Sequence, residues 1–523
     1  MTVRWRSRLL LFAVVAALAL WFRWFAVYQV DDAYIVYRYA ENVARGAGFV
    51  FNPGERVEGV TCFLWTLALA PFVAAGLPLP AVAPVLTALC GIGVILLLPG
   101  VSARLGGRRG ADGSPAPDAW DVAAAVLAAA HTTLAYWSVG ALETIPHTLL
   151  VVLALRDHRR EMETGRGSRS AVWMGLGTLV RPETPLLALA LAFDRMLPAA
   201  AAKARRANAG PEKVGARLRR AAAWLGVVAV FYLPFLAFRR AYFGAWVPNT
   251  YFARTGDGLA HQIGEGWNYT LRFLSLLGPG FGAVLPWSAA VGVLLLILCV
   301  AFALPRPGLR CAGLLLCALT AAVVLEGGDW MVLSRFFTTG LVLLMALLAT
   351  MARAAVTVAP RARPALHLFV ALLLASYVVS GTQARSGPNG LEVNGVGYRH
   401  AHETVGRFLR DRGAPEDTVA LMDIGLIGYL SGLRVLDISG LTEPAVARSP
   451  GGFLRKDYPA DLVLSRRPRF IVLVDGFRID ARIAEHPDFK AHYDSVMERN
   501  HRFNWTPPGT YILHVFERRE TAS

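Results

Sequence analysis

The sequence predicts an α-helical polytopic membrane protein with about 11 transmembrane helices and a small C-terminal α/β domain. Three observations favour this fold class. Of the 523 residues, 55% are hydrophobic and only 17% are charged, which is less charged surface than a soluble protein needs. Apolar runs of membrane-spanning length recur over residues 1–381, whereas residues 382–523 carry short apolar runs that alternate with charged helical patterns.

The formal net charge of +16 is consistent with a membrane protein whose basic residues face the cytoplasm. The basic residues cluster at the ends of apolar runs, where they orient the chain toward an anionic cytoplasmic leaflet. We therefore expect no nucleic-acid partner. The five cysteines lie in or beside apolar segments, and their spacing matches neither a CxxC motif nor a zinc site.

The apolar runs define the expected crossings. They lie near 9–27, 81–99, 120–138, 142–155, 222–240, 283–304, 311–325, 335–352 and 365–381. Two shorter runs within 171–197 flank "RPETP" and lie between the basic stretches 156–169 and 203–220, so they form a broken hairpin that enters from the cytoplasm and returns.

Residues 62–76 are predicted to be a re-entrant or interfacial helix. If both 62–76 and 81–99 crossed, the basic loop that follows would lie outside the cell. The resulting topology has the N-terminus in the cytoplasm and the transmembrane domain at 1–381, with a first outer loop at 28–60. Residues 382–523 then form an extracytoplasmic domain.

The C-terminal segment has the pattern of a small α/β domain. Short buried strands are predicted at 418–423, 434–439, 469–475 and 511–516, and a helix at 401–412. About 140 residues suffice for an independent core.

Polar side chains recur in the segments predicted to face outward, at 28–60, 140–144, 241–282 and 326–334. The candidate site residues are Asp31, Asp32, Arg38, Glu58, Glu143, Arg181, Glu183, Asn249, Tyr251, Asp329 and Arg335. Charges at bilayer depth are costly and usually line a water-filled cavity or meet a charged substrate. Alternatively, each caps a helix or pairs with another. Because the clusters are predicted on one side of the membrane, we favour a shared site.

The adjacent carboxylates Asp31 and Asp32 cannot point the same way on a helix or a strand. One can act as a general base toward a hydroxyl while the other holds an arginine or a backbone N–H, and their repulsion raises at least one pKa. An anchoring carboxylate exposed to water is the alternative.

Arginines at membrane depth offer forked donors for a phosphate, both when it binds and when it departs as a leaving group. Arg335 is the first candidate and Arg181 the second, and the alternative for Arg335 is a salt bridge to Asp329 or Glu326. Asp31, Glu326 and Asp329 could also gather around a divalent cation, whereas a bare phosphate clamp needs none. The sequence contains no Walker A motif and no GxGxxG between a strand and a helix.

The stretch "DDAYIVYRYAENVARGAGFVFNPGERVEGVTCFLW" resembles the first outer loop of the GT-C superfamily of polyprenyl-phosphate-sugar-dependent glycosyltransferases. The bacterial branch that contains the terminal arabinofuranosyltransferases is the most similar. "GALET", "RPE", "PNTYFAR", "GGDWM…SRFF" and "DIGLIGYLSGLRVLDISGLTEP" recur in that branch in this order.

The resemblance implies an inverting transfer of a sugar, with arabinofuranose as one option. The sugar would pass from a polyprenyl-phosphate donor to a glycan or lipid acceptor of the cell envelope, on the outer side of a bacterial plasma membrane. In that superfamily an acidic residue of the first outer loop is essential, commonly the first of a pair. This maps onto Asp31, with Asp32 next, and leaves the remaining site residues to bind substrate.

Other classes of function remain open at this point. A transporter or flippase of lipid-linked sugars would also bury charges in a helical bundle, but such proteins tend to show repeated halves, and the one broken pair at 171–197 has no counterpart in the second half. A scaffold would leave the outer charges unexplained. A lipid-linked oligosaccharide ligase would be a different enzyme on a similar scaffold.

Overall fold

The computed structural model of the chain describes residues 3–198, 214–278, 286–387, 390–501 and 511–519. These residues divide into two compact units. The first unit comprises Met1–Ala26, Pro84–Phe235 and Leu259–Ala384, and the second comprises Val27–Ala83, Leu236–Gly258 and Arg385–Ser523. The expected boundary at 381 lies close to one of these divisions. Residues 28–60, however, cluster with the C-terminal segment, because their one helix, at Asp31–Ala44, packs against a short helix at Leu426–Ser431.

The helices of the described chain are numbered here in order. They are α1 (Val3–Phe25), α2 (Asp31–Ala44), α3 (Phe63–Ala74), α4 (Leu79–Leu105), α5 (Ala119–Ala130), α6 (Thr132–Trp137), α7 (Thr144–Thr164), α8 (Arg169–Thr178), α9 (Thr184–Met196), α10 (Val214–Phe243), α11 (Asn249–Arg254), α12 (Leu259–Ser275), α13 (Pro286–Ala303), α14 (Arg310–Glu326), α15 (Thr338–Val358), α16 (Arg363–Ser386), α17 (Leu391–Arg412), α18 (Leu426–Ser431), α19 (Pro444–Ala447), α20 (Asp461–Leu464), α21 (Arg478–Glu485) and α22 (Pro487–His492). Short 3-10 helices occupy Val332–Phe337 and Pro360–Ala362.

Each apolar run predicted to cross the membrane is helical in the described residues, but the run at 120–138 divides at His131 into α5 and the six-residue α6. In the described part of the chain, four segments are both long and apolar enough to span a bilayer: Leu79–Leu105, Val214–Phe243, Val332–Val358 and Pro360–Arg412, of which the structure describes the last as the two helices α16 and α17. The other runs form helices that are shorter or carry more charge, so the count of about eleven crossings stays a prediction. The broken hairpin appears as α8 and α9, separated by a turn that contains Arg181 and Glu183.

Two further topology predictions are only partly covered by the structure. Within residues 62–76, Phe63–Ala74 form the twelve-residue helix α3. That this helix is re-entrant or interfacial stays a prediction. Most of the basic stretch 203–220 lies outside the described residues.

Helix α12 packs its backbone directly against α14 within the first unit. A Cβ atom on Gly266 would lie 2.3 Å from the carbonyl oxygen of Val324, so only glycine fits at that crossing. The same face of α12 buries Tyr269, whose hydroxyl accepts the backbone N–H of Phe336 at 3.1 Å. The crossing thus fixes the start of the segment that carries Arg335.

The C-terminal segment folds around a five-stranded sheet in the order β2-β1-β3-β5-β4. The strands are β1 (Thr418–Leu421), β2 (Arg434–Asp437), β3 (Phe470–Val474), β4 (Tyr493–His501) and β5 (Tyr511–Arg518). β1 pairs in parallel with β2 and β3, whereas β5 pairs antiparallel with β3 and β4.

Four of these strands lie at the segments that the sequence indicates. The fifth, β4, has mostly polar and exposed residues, because it lies at the edge of the sheet and packs on the rest through few side chains. Its sequence therefore lacks the apolar pattern of a buried strand.

Candidate active site

The carboxylate pair opens the first helix of the second unit. Asp31 and Asp32 occupy the first turn of α2, where negative charge is favourable near the N–H groups that the helix leaves unpaired. Asp31 is only 8% exposed, whereas Asp32 is half-buried. The two carboxylates therefore have different surroundings, as their adjacency on a helix requires.

Both oxygens of Asp31 accept backbone hydrogen bonds from the C-terminal segment. The Gly425 N–H donates to Oδ2 and the Leu426 N–H to Oδ1, each at 2.8 Å. A Cβ atom on Gly425 would lie 2.1 Å from the Asp31 carbonyl oxygen and 2.5 Å from Oδ2. Any side chain at position 425 would collide with Asp31. Residue 425 must therefore be glycine for its N–H to reach the carboxylate.

A buried polar network lies behind these two amides. The carboxylate of Asp423 accepts the hydroxyl of Tyr511 at 2.7 Å, and the same oxygen, Oδ2, lies 2.9 Å from Nε2 of His402. The other ring nitrogen of His402 lies 2.9 Å from the carbonyl oxygen of Tyr398. Because a carbonyl can only accept, Nδ1 is the donor in that hydrogen bond.

The electrostatics of Asp31 follow from this environment. Burial raises the pKa of the Asp31 carboxyl, and the Asp423 carboxylate raises it further. His402 and the two amide donors act in the opposite direction without cancelling the rise. Burial also raises the pKa of the Tyr398 phenol, and its hydrogen bond to Asp31 adds to that rise. A carboxylate with a raised pKa is a better proton acceptor, which suits a general base.

The sequence analysis missed the residues of this network. Asp423 follows β1, and side chains at the carboxyl ends of parallel strands commonly form sites in α/β sheets. The position of Asp423 directly after β1 could therefore have identified it as a candidate site residue. His402 and Tyr511 gave none, because a single histidine on a helix and a tyrosine at a strand start are common in cores.

Arg38, a predicted substrate-binding residue, is buried among backbone carbonyls. Its guanidinium donates to the carbonyl oxygens of Phe51 at 2.9 Å, Gly428 at 2.6 Å and Leu433 at 2.7 Å, and to Oδ1 of Asn52 at 3.1 Å. Burial lowers the pKa of Arg38 to about 10. These contacts join the first outer loop to the C-terminal segment and are structural in character.

Glu58 and Asn249 are also held within the second unit. Glu58 accepts two hydrogen bonds from the guanidinium of Arg239, at 2.7 and 3.0 Å, and is 2% exposed. The side-chain amide of Asn249 donates to the carbonyl oxygens of Gly440 and Leu441. Tyr251 differs, since 52% of it is exposed. Of these predicted substrate-binding residues, Tyr251 alone presents most of its side chain to the surroundings.

A second cluster of predicted site residues lies in the first unit. Arg181 donates through Nη1 to Glu143 at 2.9 Å and through Nε to Glu183 at 2.8 Å, and all three side chains are buried. Glu326 is close enough to Arg181 to attract it electrostatically. The turn between α8 and α9 therefore places one guanidinium between several carboxylates.

Arg335 joins the same cluster through an aromatic ring. Its guanidinium carbon lies 5.0 Å from the centre of the Phe336 ring, and that of Arg181 lies 4.2 Å from the same ring. Nε of Arg335 donates to Oδ2 of Asp329, so the ion pair considered as an alternative is present. The preceding residues Leu333 and Ser334 have φ of 57° and 48°, a backbone conformation that only surrounding structure can maintain.

Of the three carboxylates proposed for a divalent cation, Asp31 and Asp329 already accept a hydrogen bond at each oxygen. The oxygens of Asp31 accept the two amides described above, and those of Asp329 accept Arg335 and the N–H of Trp330. A cation would compete with these donors for the same lone pairs.

Comparison with known sequences points to one enzyme and one domain family. The chain is 30% identical over 284 residues to the terminal beta-(1->2)-arabinofuranosyltransferase of Mycobacterium tuberculosis. The alignment covers 50% of this chain and 40% of that enzyme, which is less than two thirds of its length. A family described as a domain of unknown function (DUF8728) matches residues 392–516, a range that includes Tyr398, His402, Asp423, Gly425 and Tyr511.

Solved structures share the fold. ArnT from Cupriavidus metallidurans in the apo state is similar with a TM-score of 0.54 at 12% identity, over 98% of each chain. ArnT bound to undecaprenyl phosphate gives 0.53 at 13% identity, over 97% of each chain. The Archaeoglobus fulgidus oligosaccharyltransferase tethered with an acceptor peptide gives 0.56 at 13% identity, over 99% of this chain and 75% of that one. The GT-C fold predicted from the first outer loop is confirmed.

Proposed function

We propose that the protein is a membrane glycosyltransferase that moves a sugar from a polyprenyl-phosphate donor to a glycan or lipid acceptor on the outer side of a bacterial plasma membrane. The observation that carries the proposal is the buried Asp31, held at both oxygens by backbone amides at the start of the first outer helix. The GT-C fold and the similarity to an arabinofuranosyltransferase support it.

Asp31 is the general base of this proposal. A carboxylate offers about four lone-pair directions, and the two amides and the Tyr398 hydroxyl occupy three of them. The remaining direction can accept the proton of the acceptor hydroxyl as its oxygen attacks the anomeric carbon. The bond from that carbon to the donor phosphate breaks with its electron pair on the phosphate oxygen. Attack opposite the departing phosphate inverts the configuration.

Arg335, with Arg181 second, is the residue that we propose for binding the donor phosphate. Arg181 and Arg335 are both buried, and both lie against the Phe336 ring. A guanidinium in a protein interior interacts strongly with an anion, and stabilising the charge that develops on the departing phosphate lowers the barrier. Glu143, Glu183 and Asp329 hold the two guanidiniums in place through the ion pairs described above.

Arabinofuranose is the donor sugar that we propose, on the strength of the similarity to the mycobacterial enzyme. The test is transfer by the purified protein in proteoliposomes, with polyprenyl-phosphate arabinofuranose and a synthetic arabinoside acceptor. Mass spectrometry should find the acceptor extended by one pentose, with inverted anomeric configuration by NMR. Movement of intact donor between leaflets without sugar transfer would instead identify a flippase.

A further inference from the structure

We infer that the C-terminal domain of unknown function positions the catalytic carboxylate: its Gly425 and Leu426 amides, and the His402–Asp423–Tyr511 network behind them, hold Asp31 in its working orientation. This inference rests on the proposed function. It assigns a role in the reaction to residues 392–516, which match a family without a described function.

The C-terminal segment holds Asp31 at two points. One amide binds each oxygen, at the same distance of 2.8 Å, so the carboxylate cannot rotate about its Cβ–Cγ bond without losing both hydrogen bonds. A general base that acts through one remaining lone pair depends on that rotation being fixed. The amides are therefore positioned to determine where the lone pair points.

These two amides are themselves held in place by neighbouring elements. They lie in the turn that leads from β1 into α18, and Asp423 is two residues before Gly425 in that turn. The Asp423 carboxylate is held by Tyr511 from β5 and by His402 from α17. The ring of His402 in turn stacks on Tyr398, with the ring centres 3.7 Å apart. Two separate elements, α17 and β5, thus hold a turn of four residues.

Ordinary core packing does not require this arrangement. Burying His402 completely against a carboxylate that is only 17% exposed costs desolvation free energy, and apolar side chains of similar volume commonly stabilise a core as well or better. Polar groups in such a core set a specific geometry rather than stability alone. The geometry set here is that of the Asp31 amides.

The experiment removes one hydroxyl from the network. Tyr511→Phe deletes the donor to Asp423 and keeps the ring, so the domain retains its packing. Tyr493→Phe is the matched control, because Tyr493 is also buried in this domain and donates its hydroxyl to the Pro468 carbonyl oxygen, likewise at 2.7 Å. Both proteins are assayed full-length in proteoliposomes, and their thermal unfolding is measured in detergent.

We expect Tyr511→Phe to lower kcat by about tenfold, since small displacements of a catalytic group cost roughly 10- to 100-fold. The donor KM should stay near that of the unmodified protein, and Tyr493→Phe should change neither constant. A merely structural role would lower the melting temperature of both variants alike and leave kcat per folded molecule unchanged. That result, or unchanged kcat in Tyr511→Phe, overturns the inference.

A double-mutant cycle identifies the route. If Tyr511 acts through Asp31, Tyr511→Phe should have no further effect on the residual rate of Asp31→Asn, whereas independent effects would multiply. Multiplying effects overturn the positioning role and leave the proposed base intact. Full activity of Asp31→Asn would instead overturn the proposed base itself, so the two failures are distinct.

Discussion

Asp31 and Gly425 lie 394 residues apart in the chain, yet the Gly425 N–H donates to Oδ2 of Asp31 at 2.8 Å. This hydrogen bond joins the start of α2 to the turn after β1 of the C-terminal sheet. Asp31, and not Asp32, accepts the amides of Gly425 and Leu426, so the two adjacent carboxylates have different surroundings and can be tested separately.

The roles of Asp31 and Asp32 are separable by single substitution. Asp31→Asn keeps one oxygen to accept an amide but cannot accept a proton, so we expect turnover to fall on the order of 10²-fold or more while expression and folding persist. Asp32→Asn is the matched control and should retain most activity. If Asp32→Asn is inactive and Asp31→Asn is not, the base is Asp32. Transfer of the labelled sugar in proteoliposomes measures both.

Arg335→Lys tests forked recognition of the donor phosphate. A lysine can preserve an ion pair with Asp329 but cannot present two parallel N–H donors, so we expect donor KM to rise and kcat to fall, together by about tenfold or more. Arg310→Lys is the control, because Arg310 forms an ion pair with Asp194 elsewhere in the first unit. Unchanged kinetic constants in Arg335→Lys would reject the phosphate role.

Arg38→Gln should destabilise the second unit rather than weaken substrate binding. The substitution leaves several buried carbonyl oxygens without their donor, at a cost of about 2–4 kcal/mol. Limited proteolysis and thermal unfolding should both show the loss, whereas Arg434→Gln, at an exposed arginine, should be near neutral. A stable Arg38→Gln protein with a raised donor KM would restore the substrate-binding role predicted from the sequence.

Asp480 should make the stability of the C-terminal domain depend on pH. Burial raises the pKa of this carboxyl to about 8, and its Oδ2 has no hydrogen-bond partner among the described residues. Below about pH 4 the Asp480 carboxyl is protonated in both the folded and the unfolded protein, and the folded state bears no buried charge at this position. As the pH rises toward 8, the unfolded protein loses this proton more readily than the folded protein, so the free energy of unfolding decreases. The melting temperature should therefore fall between pH 4 and pH 8.

Asp480→Asn should flatten this dependence, because asparagine keeps an oxygen for the Val474 N–H, which donates to Asp480 at 2.7 Å, and carries no charge. At pH 8 the variant should be more stable by about 1–3 kcal/mol, the typical cost of an unsatisfied buried polar group. Asp494→Asn, at an exposed position, serves as the comparison. An identical pH profile for Asp480→Asn and the parent protein would contradict the assignment.

The membrane topology can be measured by cysteine accessibility in a background without the native cysteines. Single cysteines within 28–60, 241–282 and 382–523 should react with an impermeant reagent from outside, and those within 156–169 and 203–220 only after permeabilisation. Labelling of 203–220 from outside would overturn both the topology and the side on which the site lies. Labelling of 101–119 from outside would convert α3 into a crossing.

Local patterns predicted the elements of the fold better than the partners of individual side chains. The helices and four strands follow from apolar periodicity, which is written into short stretches of sequence. The partners of Arg38 are carbonyl oxygens up to 395 residues away, and no local pattern encodes them. Arg38 was therefore assigned to substrate, although the fold uses it to join distant segments.

Some residues of the candidate site could likewise be predicted from local sequence, and others could not. Asp31 could be identified because a motif surrounds it, and the Arg335–Asp329 ion pair because six residues separate the two. The His402–Asp423–Tyr511 network could not, since α17, the turn after β1 and β5 meet only through tertiary packing. Asp423 alone carried a usable signal, as an acidic residue directly after a buried parallel strand.

The segmented build of the second unit has a consequence for biosynthesis. Asp31 leaves the ribosome 394 residues before the glycine that donates to it. At roughly 5–20 residues per second, translation of that interval takes about 20–80 s. During this time the carboxylate lacks the amides that orient it, so nascent and prematurely terminated chains carry no assembled centre. Synthesis itself delays activity until the last strands of the polypeptide have folded.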